Sequence, residues 1–195
     1  LVNNIGRAAL GTVVSTSEEE WDRSLDINLR TMFLASKYAV PVMAQKGAGS
    51  IVNICSISAV RGDGTAAYSA AKGAMLALTV DMAYSHGRQG IRVNAIAPGH
   101  ITTPMVMSVS APGPRVEYMN KLRAEAGLLG TPGDGWDVGW AALFLASDEA
   151  RWITGSQNRR RGGLPARRRP GACGCRRRRR RAVSSSTSRT TAPAS

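Results

Sequence analysis

A chain of 195 residues, 43% of them hydrophobic, is long enough for one domain with a full core, and its three cysteines, Cys55, Cys173 and Cys175, make neither an even disulfide framework nor a metal-binding pair. The net charge of +13 is unevenly held: residues 1–155 carry 13 basic and 13 acidic side chains, whereas residues 156–195 carry 13 arginines and no acid. With no leader pattern and no apolar run of about 18 residues, nothing points to export or a membrane, and a cytoplasmic location is expected.

In chain order, the opening LVNNIG reads as the end of a buried strand, so the chain is expected to begin inside a domain. Ser17 followed three residues later by Glu20 is a capping-box pattern, and it predicts a long helix over 18–46 stopped by Gly47 and Gly49. Trp21, Leu25, Ile27 or Asn28, Met32 and Leu34 recur at helical spacing; the helix should bend in its middle and be interrupted in its last turns by Pro41. Residues 50–58, SIVNICSIS, are short and rich in β-branched side chains, as expected of a strand buried on both faces. A Gly-rich loop, AVRGDGTA, leads to a helix over 66–86 ended by Gly87 and Gly90, and residues 91–98, IRVNAIAP, read as a second buried strand. Strand, helix, strand at this spacing is a βαβ unit with parallel strands, which sets the fold class as α/β. Residues 99–127 hold three prolines and then a short charged helix near 117–126. Residues 133–150 predict a final amphipathic helix with Trp136, Trp140, Leu143 and Phe144 facing inward.

The stretch AAYSAAKGA, residues 66–74, sets Tyr68 and Lys72 four positions apart, on one face of the predicted helix and close enough to alter each other's chemistry. Such a pair suits proton transfer, although a Tyr-x-x-x-Lys spacing arises often by chance. Six ordered segments do not. NNIG, DINL, NICS, YSAAK, NAIAPGHITTPM and ALFLASDEARWITG follow the order and spacing of the short-chain dehydrogenase/reductase family, which the chain resembles over essentially all of residues 1–155.

That resemblance implies a Rossmann-like doubly wound parallel sheet, here incomplete, with the first strands and the last strand missing. It implies an NAD(P)-dependent oxidoreductase that moves a hydride between nicotinamide and a carbonyl or secondary alcohol. Catalysis would rest on Asn28, Ser56, Tyr68 and Lys72. Tyr68 matches the general acid/base; its ordinary pKa of about 10 is high for that task, and a nearby Lys72 cation is expected to lower it. Lys72 would also hold the nicotinamide ribose. Ser56 matches the serine that polarises the substrate oxygen; Cys55 and Ser58 flank it, and its spacing to Tyr68 favours it over them. Asn28 matches the asparagine that bends the long helix and holds a relay water behind the lysine. Taken singly, each has an ordinary structural explanation, Asn28 as a helix-interior hydrogen bonder and Tyr68 as a packing residue. Asn4, Ile5 and Gly6 match the turn lining the adenosine half of the dinucleotide, and Pro98, Gly99, Ile101 and Thr103 the turn that meets the nicotinamide.

The Gly-rich phosphate turn of a first strand and the acidic or basic residue that separates NAD from NADP have no counterpart in the sequence, so both cofactors stay open. With a central strand missing, weak stability and weak dinucleotide binding are expected. Residues 156–195 contain no Ile, Phe, Tyr, Trp, Met, Asp or Glu and are expected to be disordered, with the composition of an out-of-frame reading of a GC-rich gene. Thirteen arginines would bind nucleic acid adventitiously, without interleaved aromatics to read it. The expected partners are thus a small alcohol or ketone substrate and, in full-length form, further copies in a homodimer or homotetramer through helix 18–46 and the tyrosine-bearing helix. Two alternative readings are a catalytically inactive fragment and a nucleic-acid binder acting through the basic tail. Met105, Val106, Met107, Val109 and Tyr118, in a lid over 102–127, suggest an apolar wall better suited to a cyclic or steroid-like alcohol than to a sugar.

Overall fold

The structure, a computed structural model, describes residues 1–105, 129–130 and 133–159. Every described residue belongs to one compact unit, Leu1–Pro165. The helix expected near 117–126, the lid residues Val106, Met107, Val109 and Tyr118, and nearly all of the Arg-rich segment lie outside the described residues.

Four strands, β1 (Val2–Asn3), β2 (Gly49–Ile54), β3 (Ile91–Ala97) and β4 (Gln157–Arg159), form one sheet in that order, and every neighbouring pair is parallel. All carboxyl ends therefore open on the same edge. Both faces are covered, which is why β2 and β3 read as nearly continuous apolar runs. On one face Ile51, Val93, Ala95 and Ala97 pack with Met32, Met75 and Leu76 of the helices; on the other Val52 and Ile96 pack with Ala141 and Leu145.

The long first helical rod is three segments, α1 (Glu18–Leu25), a π-helical turn (Asp26–Arg30) and α2 (Thr31–Lys46). Ser17 caps it as expected, its hydroxyl accepting from Glu20 N at 3.2 Å. The π turn lies around Asn28, in the middle of the rod where the bend is expected, and Pro41 does not interrupt the helix, since α2 runs on past it to Lys46. Pro41 and Lys37 are both exposed, so the carbonyl that loses its helical partner there faces water. Gly47, at φ +65°, stops the helix. The buried stripe of the rod is Ser24, Asn28, Met32 and Ser36, at steps of four, whereas Trp21, Phe33, Leu34, Tyr38 and Val42 are exposed. Small and polar side chains thus face the interior.

Helix α3 (Ala66–His86) spans the predicted residues and buries Tyr68, Lys72, Met75, Leu76, Thr79 and Met82 on one face. Helix α4 (Gly135–Ala146) opens with a capping box of Asp134 and Asp137, but the expected inner face is the outer one. Trp136, Trp140, Leu143 and Phe144 are exposed, and Ala141 and Leu145 meet the sheet. Both sides of this helix are apolar, so periodicity alone could not choose between them, and the small side lets the helix approach β2 and β3 closely. A second expectation also changes: a last strand is present, because residues 157–159 pair with Ala95, Ile96 and Ala97. Ladder hydrogen bonds use only the main chain, so the unusual side chains there do not prevent them.

The two helices on the α3 face are tied to the strands by a buried polar chain. Asn3 Nδ2 donates to Asn53 Oδ1 at 2.8 Å and lies 3.3 Å from Ser36 Oγ; Asn53 Nδ2 donates to Thr79 Oγ1 at 2.9 Å, and Thr79 Oγ1 donates to Met75 O. Asn53 is wholly buried. Asn53→Ala removes both bonds and leaves the Asn3 amide only its longer contact with Ser36, and should lower unfolding free energy by about 2–4 kcal/mol in urea denaturation.

Candidate active site

The site is assembled at the carboxyl edge of β1, β2 and β3. Tyr68 and Lys72 come from the first turns of α3, packed so that they are only 7% and 3% exposed. Lys72 Nζ donates to the carbonyl of Ile54, the last residue of β2, at 3.0 Å, and stands 5.5 Å from the Tyr68 ring centroid. Burial disfavours the ammonium and pulls its pKa from 10.5 down to about 8.

Burial also pushes the Tyr68 phenol above its ordinary value; a hydrogen bond with Ser56 works against that rise, and the charges of Asp63 and Cys55 add to it. This reverses the direction expected from the Tyr-Lys spacing. The ammonium lies over the ring, and its own desolvation weakens the cation that would favour a phenolate. Burial raises the neighbouring Cys55 thiol to about 11, with Lys72 opposing, so it is a protonated thiol in the core.

Ser56 follows β2 in extended conformation and caps a short 3-10 turn, Ile57–Ala59, its Oγ accepting from Ser58 N at 3.2 Å. Ile57 N donates to Pro98 O at 3.0 Å, which joins this turn to the one after β3. Asn28, fully buried in the π turn, clasps the backbone of one residue of the loop after β1: its Oδ1 accepts from Arg7 N at 3.1 Å and its Nδ2 donates to Arg7 O at 3.0 Å. The same amide donates to Ser24 O at 2.8 Å, at the joint between α1 and the π turn. A Cβ on Gly6 would lie 3.0 Å from Asn28 Oδ1 and 3.3 Å from Lys72 Nζ, so only a bare backbone passes there without displacing them.

Every catalytic and cofactor-binding residue proposed from the sequence is described and lies toward this edge. Ser56, Tyr68 and Lys72 form one cluster, with Asn28 linked to it through Gly6 and Arg7. Asn4 and Ile5 are exposed at the end of β1; buried Pro98, then Gly99, Ile101 and Thr103 follow β3, with Ile101 bridged to Gly133. Of the lid residues only Met105 is described, and it is partly exposed. Three contributors escaped the sequence reading. The Ile54 carbonyl and the Arg7 backbone are main-chain groups and leave no residue signature. Asp63 accepts from Ser58 Oγ and from Thr65 Oγ1; its signal was a lone acid between Gly62 and Gly64, directly before the tyrosine helix. Among the described residues no cluster of His, Cys, Asp or Glu could hold a metal, and no helix is long and apolar enough to cross a membrane.

A parallel sheet covered by helices, with polar side chains gathered at its carboxyl edge, places the chain in the class of Rossmann-like α/β folds, which bind ligands at that edge. A family profile described as enoyl-(acyl carrier protein) reductase matches residues 1–164. The chain is 39% identical over 170 residues to 2-(S)-hydroxypropyl-CoM dehydrogenase 3 of Xanthobacter autotrophicus, covering 85% of this chain and 66% of that protein. It is 40% identical over 160 residues to the cyclopentanol dehydrogenase of Comamonas sp., covering 80% and 62%. The solved aldohexose dehydrogenase of Thermoplasma acidophilum superposes with a TM-score of 0.77 at 35% identity, over 84% of this chain and 66% of that one. This chain belongs to the short-chain dehydrogenase/reductase family of oxidoreductases. It spans somewhat less than two thirds of the length of these relatives.

Between about pH 8 and the ordinary lysine value of 10.5, the unfolded chain holds a proton that folded Lys72 has shed, so stability should rise with pH across that window. Lys72→Met should abolish this rise, on the order of 3 kcal/mol, in chemical denaturation at stepped pH.

Proposed function

We propose that the protein transfers a hydride between a nicotinamide dinucleotide and a carbonyl or secondary alcohol, with Tyr68 as general acid/base. The observation that carries this reading is the cluster of Ser56, Tyr68 and Lys72, two of them deeply buried, at the carboxyl edge of a parallel sheet. In reduction, Tyr68 gives its phenolic proton to the substrate oxygen; in oxidation, its phenolate takes the proton from the alcohol. Ser56 hydrogen-bonds the same oxygen and so favours the charge that develops on it.

The residues fit a nicotinamide ribose. Lys72 has three N–H donors and one recorded hydrogen bond, to Ile54 O, so it has donors left for ribose hydroxyls. The bare backbone at Gly6 lets a ligand's polar groups come close to that ammonium. The bound dinucleotide would supply or accept the hydride; the protein's own part is to orient it, keep water out and hold the proton at the tyrosine oxygen. Asn28 supports this by fixing the loop that carries Gly6 and Arg7. The cyclopentanol and hydroxypropyl-CoM dehydrogenases favour a secondary alcohol as the substrate class, and the partly exposed Met105 fits an apolar wall beside it. Exposed Phe33, Leu34, Tyr38 and Val42 on α2, with Val80 and Tyr84 on α3, support self-association through these two helices.

A second reading, a chain that keeps these residues without turning over, is favoured by its 39% identity over 170 residues to the inactive 2-(S)-hydroxypropyl-CoM dehydrogenase 2 of Xanthobacter autotrophicus. Titrating the chain into NADH and into NADPH while following nicotinamide fluorescence separates the two. Saturable binding weakened at least tenfold by Lys72→Met supports the oxidoreductase reading. Alcohol oxidation should then fall by about 10²-fold or more in Tyr68→Phe with binding retained. Failure of either nucleotide to bind would leave the inactive reading standing.

A further inference from the structure

The loop that joins Ser56 to Tyr68 carries a charge with nothing in the chain to meet it. At its middle stands Arg61, half-buried, and one of its guanidinium nitrogens, Nη1, is buried without a hydrogen-bond partner. The nearest acid in the chain, Asp63, does not serve it: one carboxylate oxygen accepts from Ser58 Oγ and the other from Thr65 Oγ1. Among the described residues the ion pairs are Arg7 with Glu20 and Arg30 with Asp26, and neither includes Arg61.

The loop is also held in place on both sides of the arginine. Ile57 N donates to Pro98 O at 3.0 Å, Val60 N to Ile57 O at 3.0 Å, and Gly64 O accepts from Gly11 N at 2.9 Å, so the flanks of Arg61 are tied to the segments that follow β3 and β1. A guanidinium N–H withdrawn from water costs stability unless an acceptor replaces the water, and folded proteins leave few such groups. An oxyanion is the acceptor that suits it. The planar fork of an arginine matches a carboxylate or phosphate in both charge and shape, which a neutral hydroxyl does not.

We propose that Arg61 holds an anionic group of the substrate, so that the preferred substrate is a secondary alcohol or ketone carrying a carboxylate or similar oxyanion away from the reacting carbon. This rests on the reading of Ser56 and Tyr68 as the groups that take the substrate oxygen. A substrate seated on those two residues has the loop between them as its neighbour, and Arg61 is the cation of that loop next to the Asp63 that is already engaged. Lys72, the other cation of the cluster, bonds Ile54 O and is assigned to the ribose. Arg61 touches the end of the substrate that does not react, so it holds ground state and transition state alike and acts on KM more than on kcat.

Thermal unfolding of the full chain with added sodium acetate or inorganic phosphate, at constant ionic strength, needs neither cofactor nor turnover. Either anion should raise the midpoint by about 2–4 °C at a few times its dissociation constant. Arg61→Met keeps the apolar stem, removes the fork and should lose this rise; Arg61→Lys keeps the charge and should retain part of it. Anion taken up by the arginines of residues 156–195 would protect all three chains equally, and equal protection overturns the proposal, as does a midpoint that neither anion moves. Without anion, Arg61→Met should melt no lower than the unaltered chain. A fall of several degrees would mean that Arg61 bonds within the chain, and this too overturns the proposal. In turnover, a carboxylate-ended secondary alcohol should exceed its methyl-ended counterpart in kcat/KM by about tenfold or more, through KM, and Arg61→Met should bring that ratio near one. A ratio near one in the active, unaltered chain overturns the assignment to substrate and leaves a site for free anions. Failure of both nucleotides to bind counts against the oxidoreductase reading and leaves the melting result standing.

Discussion

The parallel register of β1 on β2 is the constraint on which the rest of the site depends. Asn3 stands opposite Asn53, and their side chains bond directly in the dry interior. A slip of one residue would turn Asn53 to the opposite face of the sheet, away from Thr79, and leave two amides buried without partners. The register in turn sets the ends of β1 and β2 side by side. From those ends come Gly6, the Ile54 carbonyl and Ser56, the groups that meet Lys72 and Tyr68.

Around that register the protein places polar and small side chains where a simple core would hold apolar ones. Ser24, Asn28 and Ser36 line the inner stripe of the first rod, and Lys72 and Thr79 that of α3. Each is satisfied: Asn28 by the Arg7 backbone and Ser24 O, Thr79 by Met75 O and Asn53, Lys72 by Ile54 O. Burying an ammonium this deeply costs stability, and it is the sort of local cost that accompanies a functional site. Met32, Met75, Leu76 and Met82 still fill the core, but Phe33, Leu34, Tyr38, Val42, Val80, Tyr84, Trp136 and Trp140 lie on the outer faces of α2, α3 and α4. The same packing that opens room at the sheet edge thereby leaves apolar surface on the helices.

Similarity to alcohol and sugar dehydrogenases fits this division. The relatives' names specify a hydroxypropyl-CoM, cyclopentanol and an aldohexose, three different substrates for proteins similar to this chain over most of its length. Function is carried by a site grafted onto a shared frame, and choice among substrates belongs to the loops around it.

Much was legible from the residues alone. The cap at Ser17, the extent of α3, the two buried strands and the parallel βαβ unit all follow from local signals: a capping side chain, glycine stops and β-branched runs. The Tyr68–Lys72 pair was legible for the same reason, because one helical turn fixes their relation without help from the rest of the chain. Other features were decided only by tertiary packing. Whether Trp136 and Trp140 or Ala141 and Leu145 face the sheet depends on how closely α4 must approach it, which periodicity on a helix apolar on both sides does not encode. The π turn at Asn28 falls where the sequence places a mid-helix bend, but the partner that holds Asn28, the Arg7 backbone 21 residues away, is set by tertiary structure. The raised phenol of Tyr68 reflects burial and the nearby charges of Asp63 and Cys55, with the lysine placed over its ring. The sequence by itself determined the main helices, the two central strands and the identity of the reactive pair, since these rest on neighbours in the chain, whereas the last strand, Gln157–Arg159, is made by its pairing with β3. Tertiary structure decided the electrostatics of that pair, because charge and solvation depend on groups that meet only when distant strands close into one sheet.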